Sequence, residues 1–84
     1  MDRKIRILGI APYEAMKTAM QKLAAQRDDL ELDVYSGDLE YGAEIVRHNL
    51  NNGYDVIISR GGTAELIGRI TYIPVIEISL SVYD

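Results

Sequence analysis

The sequence predicts an α/β domain of three layers, built on a four-stranded parallel sheet in the order 2-1-3-4. Three observations carry this. Short apolar runs at residues 5–10, 30–36, 55–59 and 74–79 have the composition of strands. The stretches between them are long enough for a helix, which is the crossover that parallel neighbours require. The runs also differ in kind. The second alternates Leu30, Leu32 and Val34 against Glu31, Asp33 and Tyr35, as an edge strand with one wet face does. The third, Val56-Ile57-Ile58, is apolar throughout and belongs near the centre with both faces buried.

The first strand, IRILGI at 5–10, ends in Ala11-Pro12. From Tyr13 to Gln26, residues Tyr13, Met16, Met20, Leu23 and Ala24 recur at helical spacing, with Lys17, Gln21 and Lys22 on the flank. After the second strand, Gly37-Asp38 makes a turn and Asp38 suits the N-cap of a second helix. Leu39, Ala43, Val46 and Leu50 mark its inner face, and Asn51-Asn52-Gly53 stops it. A third helix is expected from Thr63 to about Ile70, and Pro74 opens the fourth strand. This β–α order with strands 2-1-3-4 is the arrangement of flavodoxin-like and periplasmic-binding-protein-like lobes.

With 84 residues the chain is expected to form a single α/β lobe over 1–84. Hydrophobic residues are 48% and charged residues 26%, the balance of a globular domain. The net charge of −4 argues against a nucleic-acid surface. The absence of cysteine excludes disulfides, thiolate nucleophiles and cysteine metal sites, and fits a cytoplasmic protein. No run has the length of a membrane span or the form of a signal peptide.

In this order helix one covers one face of the sheet, and helices two and three cover the other. Strands three and four then lack a cover on the helix-one side. The expectation is a domain truncated at its C-terminus, or one that completes itself as a homo-oligomer through the uncovered face. The alternative is that helix one and the tail around Tyr83 cover enough.

Ligands of open parallel sheets bind outside the carboxyl ends of the strands, where the strand order reverses. That point lies between strands one and three. Its loops are Ala11-Pro12-Tyr13 and Ser59-Arg60-Gly61-Gly62-Thr63. Glycines let the backbone approach a ligand, successive amides hold anions, and a helix N-terminus adds free N–H groups and partial positive charge. Arg60 can fork a carboxylate or phosphate, and Ser59 and Thr63 bring hydroxyls. Pro12 and Tyr13 stand at the neighbouring loop, and Ser79, with Ser81, follows strand four at the same end. The residues equally fit a tight turn followed by a helix cap, with Arg60 in water.

The stretch DVIISRGGTAELI (55–67), followed by IPVIEI (73–78) and SVYD (81–84), resembles the N-terminal sensory domain of propionate catabolism activators. IRILGIAPYEAM and DVYSGDLEYGAEIV are similar to that family too, so the resemblance spans the chain. It implies a sigma-54-dependent transcriptional regulator whose sensory domain has two α/β lobes around a ligand cleft. An AAA+ ATPase module and a helix-turn-helix DNA-binding domain follow in such proteins. The resemblance implies Ser59, Arg60, Gly61, Gly62 and Thr63 as contacts for a small organic anion; the best-known members sense 2-methylcitrate. This chain has the length of about one lobe.

Enzyme chemistry finds little support. The first turn, GIAPY, lacks the G-x-G-x-x-G fingerprint, no P-loop occurs, and nothing places a base beside Ser59. No catalytic residue, cofactor or metal is expected. His48 reads as a surface residue, Asp38 and Glu40 as a cap and an exposed helix start, and Glu77 as facing solvent on the uncovered side of the sheet or, in a complete domain, meeting a buried partner. Three functions stay open: an anion-sensing lobe, a structural or oligomerisation module, and a fragment of an enzyme acting on a phosphorylated small molecule.

Overall fold

The computed structural model describes residues 3–78, so Ser79, Ser81 and the tail at Tyr83 lie outside the described residues. The chain runs β1 (Ile5–Ala11), α1 (Glu14–Ala25), β2 (Leu30–Ser36), α2 (Leu39–Asn49), β3 (Val56–Ser59), α3 (Gly61–Gly68) and β4 (Val75–Glu77). The strands form one parallel sheet in the order β2-β1-β3-β4, as the patterning requires. Ile7 lies opposite Val56, Ile57 opposite Val75 and Ser59 opposite Glu77.

Side chains alternate between the two faces of each strand. Leu8, Ile10 and Ile57 point to the side of α2 and α3, where they bury with Val46, Tyr54 and Ile67. Ile45, Leu50, Ile70, Ile73 and Val75 pack around this larger core. On the opposite side Ala11, Met16 and Met20 form a smaller core with Leu32, Val34, Ile58 and Ile78. Met16 and Met20 are one helical turn apart, so α1 covers β1 and β2 with a narrow stripe.

Among the described residues the expected gap in the cover is present. Ile76 is 54% exposed, and Val56 and Ile58 are only half-buried while Ile57 and Ser59 are buried. The reading of β3 as buried on both faces is therefore half right, because α1 sits over β1 and β2. Between α1 and the bare strands lies an apolar groove of about 270 Å³, lined by Ile7, Met20, Leu23, Leu32, Ile58 and Ile78. Leu23, expected in the core, is 65% exposed at its rim.

The end of the sheet opposite the candidate site is closed by charge. Arg3 forks the Asp55 carboxylate with bonds of 2.7 and 3.0 Å, and the Arg6 N–H donates to the same group at 2.9 Å. These partners pull the Asp55 carboxyl down to about 2. Beside it the Tyr54 hydroxyl donates to Asp33 at 2.6 Å, with the Arg6 guanidinium 4.8 Å above the ring. Burial, with Asp33, pushes the Tyr54 hydroxyl up to about 12.

A folded-state carboxyl held below its unfolded value stabilises the fold above that value, and the contribution disappears as pH falls through the folded one. The melting temperature should therefore drop between an ordinary carboxylate pKa of about 4 and about 2. Tyr54 works at the other end, since a raised folded value protects below about 10 and is lost as pH rises towards about 12. Thermal unfolding across pH checks both, with Asp55→Asn and Tyr54→Phe each flattening only its own limb.

Candidate ligand site

β3 ends in Ser59, which is fully buried. Its hydroxyl donates to the Ile10 carbonyl at 2.7 Å, tying the end of β3 to β1. Arg60 follows in an extended conformation (φ −149°, ψ 154°) and occupies the N-cap position of α3 with no side-chain capping bond. The helix then begins at Gly61, two residues before the expected start at Thr63. Gly61 has φ +61°, a left-handed conformation that a side chain would strain, whereas Gly62 does not. The two glycines thus form the first turn of the helix itself.

That early start is set by contacts with another helix. Thr63 is buried, donates its hydroxyl to Asp38 Oδ1 at 2.8 Å, and accepts from the Leu39 N–H at 2.8 Å. Asp38 stands at the N-cap position of α2 as expected, but its carboxylate binds Thr63 rather than an amide of its own helix. Leu39 carries φ +46°, an unusual conformation for a branched side chain, and is 51% exposed rather than in the core. The N-termini of α2 and α3 are joined through one hydroxyl.

What remains open at the corner is a set of donors. The N–H groups of Gly62 and Thr63 bond to no acceptor among the described residues, as the first amides of a helix often do not. The Arg60 Nε is buried and likewise unpartnered among the described residues. The Gly61 N–H donates to Glu77 Oε2 at 3.1 Å. Glu77 lies on the same side of the sheet as α3, because it is the register partner of Ser59. That corrects the expectation that it faces the uncovered side, because the register pairs it with Ser59 and not with Ile58. Gly61 and Glu77 line an open groove of about 440 Å³ with Ala64, Glu65, Gly68 and Val75.

Ser59, Arg60, Gly61, Gly62 and Thr63 thus stand together at the end of β3. The two hydroxyls face inward and hold the scaffold, while the amides and Arg60 provide donors. Pro12, half-buried, and Tyr13, exposed, stand at the end of the adjacent strand β1. Tyr13 caps α1 through its carbonyl and makes no hydrogen bond to the corner among the described residues. His48 is exposed near the far end of α2. Among the described residues no cluster of histidine, cysteine or carboxylate side chains is arranged to hold a metal ion. None of their helices is long and apolar enough to cross a membrane.

Fold and strand order place the chain with the α/β regulatory domains of transcriptional regulators. It is similar to the crystal structure of an NtrC family transcriptional regulator from Clostridium acetobutylicum, with 26% sequence identity and a TM-score of 0.79. The match covers 95% of this chain and 42% of that one, so the chain spans less than half the length of this relative. Residues 26–84 match the family described as propionate catabolism activator. The chain belongs to that family, as an N-terminal domain of such regulators. A comparison with curated proteins finds no match.

Proposed function

We propose that this domain senses a small organic anion on behalf of a sigma-54-dependent transcriptional regulator, and that it binds its ligand without transforming it. The observation that carries this reading is the donor set at the head of α3: the amides of Gly62 and Thr63 and the Arg60 Nε, none of which has a partner among the described residues. A carboxylate or phosphate placed there would meet backbone donors, the positive end of a helix and a guanidinium together. Ser59 and Thr63 serve by fixing the backbone that presents these donors. Pro12 and Tyr13 form the neighbouring wall. In the full-length regulator, within the cytoplasm, the occupied domain would act on ATPase and DNA-binding modules.

The test is an amide NMR titration with phosphate, citrate, methylcitrate and simple monocarboxylates. Saturable shifts confined to residues 60–63 and the loop at 11–13 are expected with at least one of them. No saturable shift with any would reduce the corner to a turn that starts a helix.

The uncovered faces of β3 and β4 carry a separate expectation of self-association. Ile76 and the groove beside α1 expose apolar surface that a second copy can bury. Light scattering is expected to show a dimer or larger species, and Ile76→Lys should shift it towards monomer. A monomer at high protein concentration would refute this assembly.

A further inference from the structure

Resting on the anion-site reading above, we infer that Glu77 is a built-in competitor for the ligand, occupying the first amide of α3 until an external anion displaces it. Glu77 Oε2 accepts from the Gly61 N–H at 3.1 Å. Gly61 makes this contact while holding φ +61°, a conformation open to glycine. A side chain built at Gly61 would find no atom within 4 Å, so the contact is not forced by crowding. Register places Glu77 beside Ser59, one residue before Arg60.

Glu77 nevertheless forms no ion pair with the guanidinium: among the described residues Arg60 Nε has no partner at all. The corner therefore holds one internal carboxylate on one donor and leaves the rest of the donor set open. Two anions at this helix end would repel across a few ångströms. An incoming carboxylate or phosphate that takes the Gly62 and Thr63 amides and Arg60 must therefore push Glu77 off Gly61. The exchange sets a threshold on affinity. It also has a mechanical result, because the Glu77–Gly61 bond joins the edge strand β4 to the head of α3. Ligand arrival releases that tie.

Amide NMR titrations with citrate and with inorganic phosphate would compare the parent with Glu77→Gln, Glu77→Ala and Glu65→Gln. Glu65 lines the same groove and pairs with Arg69, so its replacement makes the same change of net charge without touching Gly61. The expected result is a dissociation constant lowered roughly tenfold in both Glu77 variants and little changed in Glu65→Gln. Equal tightening in Glu65→Gln would assign the effect to net charge and overturn the competitor. Unchanged or weaker binding in the Glu77 variants would overturn it too, while leaving the anion site standing. No saturable shift in any of the four proteins would remove the site and the competitor together.

Discussion

An Arg60→Ala protein is expected to fold as the parent does and to lose its response to anions. The side chain is half-buried, its Nε has no partner among the described residues, and it makes no capping bond to α3. Its removal breaks no side-chain bond among the described residues and relieves a buried donor of its desolvation cost, so stability without ligand should hold or rise slightly. Binding should suffer. Hydrogen bonds to a charged group contribute about 1.5–3 kcal/mol, which corresponds to a loss of roughly 10- to 150-fold in affinity. Arg60→Lys keeps the charge without the planar fork and should fall between. Melting temperatures with and without citrate read both effects at once. A full anion response in Arg60→Ala would take Arg60 out of the site.

The largest expected loss of stability comes from Gly42→Val. Gly42 lies on the buried face of α2, where that helix meets β1 and α3. A Cβ there would sit 2.9 Å from Thr63 Cγ2, 3.0 Å from Ile10 Cγ2 and 3.3 Å from the Gly37 carbonyl oxygen. Thr63 and Ile10 are both fully buried, so neither can swing aside. Overpacking of this kind costs about 3 kcal/mol when the neighbours are fixed. In a domain of this size that lowers the melting temperature by roughly 12–24 °C. Gly42→Ala should be milder, since better helix propensity returns about 1 kcal/mol. The same wedge presses on the methyl of Thr63, whose hydroxyl joins the two helix heads, so anion binding should weaken as well. Thermal unfolding followed by circular dichroism measures the first effect. A Gly42→Val protein as stable as the parent would mean that α2 and α3 do not approach so closely.

The strand order was legible because it depends on pattern. Alternation in Leu30–Ser36 marks an edge, the unbroken apolar run at 56–58 marks the interior, and the connections are of helical length. The bare faces of β3 and β4 followed from that order alone. What could not be read depends on contacts between residues far apart in the chain. Gly61-Gly62 looks like a turn in isolation, and becomes the first turn of α3 because Thr63 is held by Asp38 and Leu39 from the head of α2. The same contacts bring Leu39 out of the expected core stripe and into a positive φ. The hydroxyls of Ser59 and Thr63 were legible as donors near a ligand, but their inward partners were not. The ionic closure around Arg6, Asp55 and Tyr54 left no local pattern, since its members come from β1, β2 and the approach to β3.

The place of β1 in the sheet has a consequence for how the chain acquires its structure. β1 is an interior strand, yet its partner on one side is β3, with Ile7 opposite Val56. During synthesis β1, α1 and β2 can come together as soon as they emerge, because that pairing closes through one helix. The other edge of β1 must then wait, with Leu8 and Ile10 uncovered, until α2 and β3 have followed. Closing so long a loop carries an entropic cost before any contact repays it, so this step should set the pace of folding. The first half of the domain therefore passes through a period in which its most apolar strand has an open edge, the condition under which nascent chains pair wrongly with their neighbours.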